Sequence, residues 1–267
     1  MFSRTVDGGQ TWEPPRVIYE APGAQTIGHV LVVLPNGDLL DVFGRTLPSS
    51  EDPAYDLAFV RSSDRGATWS APERISDVVV APLQDPYSTF LIQPDPSFAI
   101  IPSVAVDRQS GQLHVAWQDG RFSAGDHIDI AYATSADGGR SWSNAVKVNQ
   151  TTVDVPAFIP TIAVMPDGTA GISHFDLRHA SPTQNAILTD IWLVSCRVGC
   201  TDQDAWDETH IAGPFDLERA PYAKGFFLGD YQGLVGAENG FLLLSAVASP
   251  DGAATITHAE FVTVTLP

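Results

Sequence analysis

Three near-copies of one short pattern constrain the fold of this chain more than any other feature. The segments TVDGGQTW (5–12), SSDRGATW (62–69) and SADGGRSW (135–142) agree at separated positions, and each reads [ST]-x-D-x-G-x-[ST]-W. A second turn signal, glycine after Asn, Asp or Ser between apolar runs, recurs at Gly37, Gly111, Gly168 and Gly240. Such turns join antiparallel strands as tight hairpins. The chain therefore consists of repeated units.

The spacing between the two kinds of turn is nearly constant. Gly37 precedes Gly66 by almost the same number of residues as Gly111 precedes Gly139. The same number of residues counted from Gly168 leads to SCRVGC (195–200). Counted from Gly240, it leads to a position just beyond the last residue. We therefore expect three complete units of four strands, a leading half unit and a trailing unit of three strands.

Short β-branched or alternating runs occupy the chain between the turns, and no convincing amphipathic helix is evident. HVLVV (29–33), LHVAW (113–117) and FLLLSAV (241–247) are typical of strands. Repeated four-stranded antiparallel units predict an all-β fold, a β-propeller. We expect one domain over residues 1–267, divided into a partial blade at 1–28, blades at 29–76, 102–149 and 160–212, and a last blade at 229–267.

The repeated turn predicts a structural role for its three shared residue types. The carboxylates, which can accept backbone N–H groups inside the turn, are Asp7, Asp64 and Asp137. The glycines, which permit positive φ, are Gly9, Gly66 and Gly139. The tryptophans, which we expect to be buried between blades, are Trp12, Trp69 and Trp142. Residues repeated in every unit cannot all lie at one active centre.

Composition excludes several classes of partner. The chain has 267 residues with 44% hydrophobic content, and a net charge of -18 repels nucleic-acid phosphates and anionic membrane surfaces. No segment approaches the roughly 20 consecutive apolar residues of a membrane span, and the opening residues lack the apolar centre of a signal peptide. We expect a monomer with no nucleic-acid partner and no membrane span.

The two cysteines are too few for a thiolate zinc site, and the histidines show no metal-binding spacing. A hairpin disulfide between Cys196 and Cys200 is the preferred interpretation, with two free thiols as the alternative. The disulfide would suit an extracytoplasmic protein. His114 and His174 follow strand alternation and are predicted to be buried with satisfied hydrogen bonds. We expect no cofactor, although loop carboxylates such as Asp126 and Asp129 could hold a structural Ca²⁺.

The turn pattern resembles the Asp-box, or bacterial neuraminidase repeat, of the sialidase-like six-bladed propellers, and the periodicity extends the resemblance over essentially the whole chain. The resemblance implies that the last blade, which ends after its third strand, is normally closed by an N-terminal strand. About one and a half blades, on the order of 100 residues, would then precede Met1. The alternative is a four-bladed ring closed by residues 1–20.

The order of strands predicts where a binding site would lie. Both hairpin turns of a propeller blade lie at one end, so the loops after the second strand and between blades open at the other. An arginine follows the second strand of three successive units, at Arg45, Arg121 and Arg178. We expect these side chains to point toward the mouth of the central channel.

The resemblance implies a site chemistry. Sialidases bind the sugar carboxylate with three arginines and use a tyrosine nucleophile activated by a carboxylate, with an Asp as acid. The residues predicted to bind substrate are Arg121, Arg178, Arg45, Asp119, Asp176 and Tyr222. The predicted nucleophile is Tyr231 or Tyr222, with Asp230 or Glu218 as base. The family's Arg-Ile-Pro segment and acid Asp are absent here. Alternatively, Asp119–Arg121 and Asp176–Arg178 are ion pairs that hold the loops.

Two functions follow. The first is a sialidase-like glycoside hydrolase that removes terminal acidic sugars from glycans, secreted or located at the cell surface or in the periplasm. The resemblance implies that the acid Asp of such an enzyme lies in a segment before Met1. This chain is therefore expected to be inactive when that segment is missing. The second function is a non-catalytic propeller that binds glycan or protein at the same mouth.

Overall fold

The computed structural model describes residues 1–49, 52–88, 90–93, 96–152, 154–183, 186–249 and 257–266. The first sheet contains β1 (Gln25–Val33), β2 (Leu39–Leu47), β3 (Ala54–Ser62) and β4 (Glu73–Val78). A short hairpin, β5 (Leu83–Gln84) with β6 (Leu91–Gln93), follows it. The second sheet contains β7 (Ser103–Val106), β8 (Leu113–Asp119), β9 (Asp129–Ser135) and β10 (Val146–Lys147).

The third sheet contains β11 (Ala157–Val164), β12 (Ala170–Asp176), β13 (Leu188–Cys196) and β14 (Asp207–Asp216). The last sheet has three strands, β15 (Gly233–Ala237), β16 (Gly240–Ala248) and β17 (Thr257–Thr265). Short 3-10 helices occur at Pro96–Ile100, Arg121–Ser123, Gln203–Ala205 and Leu217–Arg219.

Every sheet is antiparallel, and neighbouring strands follow one another in chain order. The all-β prediction is confirmed, as are the three four-stranded units and the three-stranded last unit. The hairpin β5–β6 lies in a segment that we expected to be a loop. The division of the chain into one domain of blades stays a prediction.

The sheets pack face to face in sequence. Phe59 of the first sheet and Trp117 of the second are fully buried in one core, and Tyr132 of the second sheet shares another with Ile172 of the third. The first strands of successive sheets, β1, β7, β11 and β15, contact one another in order. This is the arrangement expected for consecutive propeller blades; the number of blades and the closure of a ring stay predictions.

Residues 1–20 cover the outer face of the first sheet. Phe2 forms an isolated antiparallel bridge with Arg16, and its ring lies 5.2 Å from that of Trp69. Tyr19 stacks on Phe43 at 5.4 Å. Within the described part of the chain this segment pairs with no strand of the last sheet, so the alternative ring closure by residues 1–20 is not formed.

The carboxylates of the repeated turns make the predicted hydrogen bonds. In the third copy the backbone N–H of Ser141 donates to Asp137 Oδ1 at 2.9 Å, and its hydroxyl donates to Oδ2 at 2.6 Å. Asp64 and Asp7 accept the same pair of bonds from Thr68 and Thr11. The central glycines all have positive φ: Gly9 88°, Gly66 83° and Gly139 87°.

The tryptophans of the turns do not share one environment. Trp142 packs into the core between the first and second sheets, 6.2 Å from Phe59, and Trp69 packs against Phe2. The prediction was wrong for Trp12, which is 64% exposed, because no described sheet lies beside its turn. In the third sheet Trp206 takes the corresponding position, 4.9 Å from Tyr132.

The altered turn of the third sheet carries the predicted disulfide. Cys196 and Cys200 are bonded, with Cα atoms 5.7 Å apart, and Trp206 Nε1 donates to the carbonyl of Cys200. Both strand histidines, His114 and His174, are buried as predicted. The predicted hydrogen bonds are only partly present, because His114 Nδ1 contacts the Tyr132 hydroxyl at 2.8 Å but His114 Nε2 and both ring nitrogens of His174 have no hydrogen-bond partner.

Candidate functional site

The two ends of the sheets differ in the way that the strand order predicts. Arg61 binds both the carbonyl of Gly138, in the third repeated turn, and Asp38, in the hairpin turn before β2. The repeated turn therefore lies beside the first hairpin turn of the neighbouring sheet. Since β2 runs away from that turn, Arg45 lies toward the other end. We call this other end, with the loop 120–128 and residues 177–183, the loop face.

Arg45 is held by a carboxylate of its own sheet. Its Nε donates to Asp56 Oδ1 at 2.8 Å and its Nη2 to Oδ2 at 2.6 Å, across the β2–β3 pair. The bond to Asp56 raises the pKa of Arg45, and Tyr19 adds to the effect. The bidentate bond is the geometry in which guanidinium recognises a carboxylate most strongly, and here the carboxylate is internal.

Arg121 pairs with Asp119, two residues before it. Its Nη2 lies 2.7 Å from Asp119 Oδ2, and its backbone N–H donates to Oδ1 at 2.9 Å. Trp117 Nε1 also donates to Asp119 Oδ2, at 2.8 Å. The guanidinium reaches the preceding sheet as well, where it donates to the Ser76 hydroxyl and the Asp77 carbonyl.

Arg178 is bound by two carboxylates. Its Nε donates to Asp176 Oδ2 at 2.6 Å and its Nη1 to Glu208 Oε2 at 2.6 Å. Asp176 is fully buried and accepts a third bond from Trp192 Nε1 at 3.0 Å. The guanidinium thus joins the end of β12 to the outer strand β14.

The ion pairs Asp119–Arg121 and Asp176–Arg178, predicted as the alternative to a substrate clamp, are both present. Asp119 and Asp176 are fully buried. All three arginines are therefore already neutralised within the fold. Their role in binding substrate, and that of the two aspartates, stays a prediction.

A small central cavity lies where the first strands of the sheets meet. It measures about 100 Å³ and is lined by Val30 of β1, Val104 of β7, Thr161 of β11 and the segment 230–232. Asp230 and Tyr231, two of the predicted catalytic residues, thus lie together at this cavity. Tyr231 is 68% exposed, and partial burial raises the pKa of Asp230. No arginine is among the described residues that line it.

A buried glutamine, which was not predicted from the sequence, shapes the wall of the central cavity. Gln118 Oε1 accepts the backbone N–H of Ile159 at 3.2 Å, and its Nε2 donates to the Phe98 carbonyl at 2.9 Å. Ile159 has a φ of 53°, which is unfavourable for a β-branched residue. The bulge in β11 at this point holds that conformation. The repeated Ile-Pro pairs at 101–102 and 159–160, which both line the cavity, were a signal that could have indicated this wall.

The other predicted catalytic residues lie away from the central cavity. Glu218 belongs to the 3-10 helix Leu217–Arg219, where its backbone N–H donates to Asp216. Burial, followed by the charges of Asp216 and Asp85, raises the pKa of Glu218. Tyr222 is 65% exposed, with its ring 5.8 Å from that of Phe226. Neither Glu218 nor Tyr222 lines the cavity that holds Tyr231.

A larger loop cavity of about 300 Å³ opens between the hairpin β5–β6 and the loops that follow β8 and β10. The charged and titratable side chains that line it are Asp85, Asp126, His127 and Asp154. Asp129, the other residue considered for Ca²⁺, is buried beneath His127 and pairs with Lys147 at 2.7 Å. In the described part of the chain no three or more His, Cys, Asp and Glu side chains are arranged to hold a metal ion.

Nor does any helix among the described residues have the length and apolar character needed to cross a membrane.

Comparison with known proteins supports the fold. No protein-family model and no curated protein matches the chain. Among solved structures, the Hadza microbial sialidase Hz136 is 18% identical with a TM-score of 0.51, over 82% of this chain and 42% of that chain. The chain therefore spans less than half the length of that sialidase.

Two other solved structures show weaker likeness. The intramolecular trans-sialidase from Ruminococcus gnavus is 12% identical over 99% of this chain and 78% of that chain, with a TM-score of 0.47. A polysaccharide lyase, the PL25 ulvan lyase, is 12% identical over 83% of this chain and 50% of that chain, with a TM-score of 0.46. The likeness to the sialidase, together with the stacked four-stranded antiparallel sheets, shows that this chain has a sialidase-like fold.

Proposed function

We propose that this protein is a sialidase-like glycoside hydrolase that acts on terminal acidic sugars of glycans at the central cavity. The observation that carries the proposal is that Asp230 and Tyr231 both line the cavity where the first strands of the sheets meet. A tyrosine nucleophile is the exception that sialidases make among glycosidases. The sialidase-like fold supports the same assignment.

The environments of the two residues fit these roles. Tyr231 is open to solvent, so its hydroxyl can reach an anomeric carbon. A raised pKa brings the Asp230 carboxyl closer to the pH of the reaction, which favours proton exchange with the phenol. In the proposed first step Asp230 takes the phenolic proton, Tyr231 Oη bonds to the anomeric carbon, and the leaving oxygen departs with the bonding electrons and takes a proton from solvent. In the second step water bonds to the anomeric carbon and gives a proton to solvent, the bond to Tyr231 Oη breaks, and Asp230 returns the proton to the phenol.

Hydrolysis of a fluorogenic sialoside by the purified chain tests the proposal. We expect Tyr231→Phe and Asp230→Asn to lower kcat/KM by a factor of 100 or more. Tyr87→Phe, which alters another exposed tyrosine that does not line the cavity, should leave it unchanged. Turnover by the unaltered chain would overturn the expectation of inactivity that the resemblance implies. Absence of turnover, or equal turnover by Tyr231→Phe, would contradict the proposal that this chain holds a working site.

A non-catalytic propeller that binds glycan or protein is the second candidate. The specific observation that supports it is the neutralisation of Arg45, Arg121 and Arg178 by internal carboxylates, which leaves no free cation among them for a sugar carboxylate. Calorimetric titration with sialyllactose separates the candidates, since binding without release of sialic acid favours the second.

An extracytoplasmic location is part of the proposal. The disulfide between Cys196 and Cys200 supports it, because such bonds persist in oxidising compartments.

A further inference from the structure

Two histidines on the third sheet share one buried carboxylate. Asp190 of β13 is fully buried. His179 Nδ1 lies 2.7 Å from its Oδ2, and His210 Nε2 lies 2.8 Å from its Oδ1. His179 belongs to the loop after β12 and His210 to the outer strand β14, so the carboxylate joins two separate elements. This cluster lies outside both cavities described above.

The shared carboxylate determines which ring nitrogens carry hydrogen. An ionised carboxylate only accepts hydrogen bonds, so His179 Nδ1 and His210 Nε2 must both be donors. In neutral rings this leaves His179 Nε2 and His210 Nδ1 with free lone pairs. Metal-binding histidines are held in this way, because the ring nitrogen that does not bind the metal donates to a carboxylate.

The two rings are accessible and close. The side chains of His179 and His210 are 51% and 41% exposed, whereas Asp190 between them is not exposed. Their ring centroids lie 6.5 Å apart. Two imidazoles on one tetrahedral zinc, with Zn–N bonds of about 2 Å, would have ring centres roughly 5 Å apart. Both side chains are about half exposed, so no packed neighbour encloses them and the rings have room to approach each other.

We propose that His179 and His210 bind a divalent transition metal such as Zn²⁺, with Asp190 orienting both rings and water completing the coordination. In the described residues no group of three His, Cys, Asp or Glu side chains could hold a metal ion, so the site proposed here has two protein ligands. Arg178, the residue before His179, is balanced by Asp176 and Glu208, so it presents little net charge to the metal. A bound metal would tie the loop after β12 to β14.

Calorimetric titration of the metal-free protein with ZnCl₂ tests this site. We expect one zinc per chain, and each of His179→Ala and His210→Ala should weaken binding at least tenfold. The matched control is His29→Ala, since His29 is also half exposed and bound to a carboxylate, Asp41 at 2.9 Å, but has no second imidazole on that carboxylate. Unchanged affinity in both histidine variants, or no binding by the unaltered protein, overturns the proposal.

The fluorescence of Trp192 provides a second test of the metal site. Its ring centroid lies 4.7 Å from that of His210 and 6.3 Å from that of His179. Ni²⁺ bound between the histidines should quench its fluorescence, and Trp192→Phe should remove the quenching while zinc binding persists. Quenching that survives in Trp192→Phe would place the metal elsewhere.

Asp190→Asn tests the role of the buried carboxylate. Loss of such an outer carboxylate commonly weakens metal binding 10–100-fold, and we expect a loss in that range. Because Asp190 is buried, the circular dichroism spectrum of the variant is compared with that of the unaltered protein. If Asp190→Asn does not fold, the two exposed histidine variants decide the question alone.

Discussion

Arg178 lies flat over the indole of Trp192, with its Cζ 3.6 Å from the ring centroid. The same guanidinium binds the buried Asp176 and the largely buried Glu208. The arginine therefore contributes to the packing of the third sheet as well as to its charge balance. Its position does not depend on a ligand.

We expect Arg178→Ala to lower the free energy of unfolding by about 3–5 kcal/mol, because it leaves two buried carboxylates unpaired. Urea unfolding measures the change. The control is Arg74→Ala, which breaks an ion pair with Asp77 in which both side chains are mostly exposed, and which should cost less than about 1 kcal/mol. Equal effects in the two variants would mean that Arg178 is free to serve a substrate.

Acidification should destabilise the protein through its buried histidines. Burial lowers the pKa of His114 from 6.5 to about 4 and also lowers the pKa of His174. Between pH 6.5 and 4 the unfolded chain therefore binds protons that the folded chain does not, so stability is complete above pH 6.5 and falls with pH. The His114 contribution to this loss is about 3 kcal/mol.

Urea unfolding across that pH range, with His114→Leu beside the unaltered protein, measures this contribution. The variant should lose less stability between pH 6.5 and 4, whatever its stability at neutral pH. His258→Leu, which removes an exposed histidine, should retain the original slope. A slope unchanged by His114→Leu would show that His114 is protonated in the folded protein.

The repeated turns should lose part of their stabilising effect in acid. Hydrogen bonds from Thr11, followed by that from Thr5, lower the pKa of Asp7 to about 2, and those from Ser141 and Ser135 likewise lower the pKa of Asp137. A lowered carboxyl pKa gives stability that is present above pH 4 and is lost as pH falls through the folded value.

The third turn should matter more than the first. A Cβ added at Gly139 would meet Leu40 and Leu113, whereas one added at Gly9 would meet no described atom within 4 Å. We therefore expect Asp137→Ala to lower Tm more than Asp7→Ala does, in scanning calorimetry at neutral pH. A larger effect at Asp7 would contradict the role of the turn as a contact between sheets.

Gly171 tests the packing of the third sheet on the last. A Cβ at this position would overlap the ring of Phe241, which is fully buried. Gly171→Ala should therefore cost about 1–3 kcal/mol of unfolding free energy. Gly233→Ala, where the added carbon would make an ordinary contact with Leu244, is the matched control and should change stability little.

Local features of the sequence predicted the secondary structure well. The hairpin glycines reflect a positive φ, and the Asp-containing turns depend on side-chain hydrogen bonds within four residues. The strands show an alternation with a period of two. Each of these features can be recognised in a short segment of sequence. The regular spacing then determined the order of the sheets. The disulfide could be predicted because its cysteines flank one hairpin.

The partners of charged side chains depended on tertiary structure. The sequence predicted that Arg45, Arg121 and Arg178 lie at or just after the second strands of their sheets, but not what they bind. Asp56 and Glu208, which bind two of these arginines, lie on other strands, so sheet register and packing select them. Long-range packing also brought His179 and His210 to Asp190, and it left Trp12 exposed. The physical reason is that burial and ion pairing depend on which surfaces meet in the folded chain.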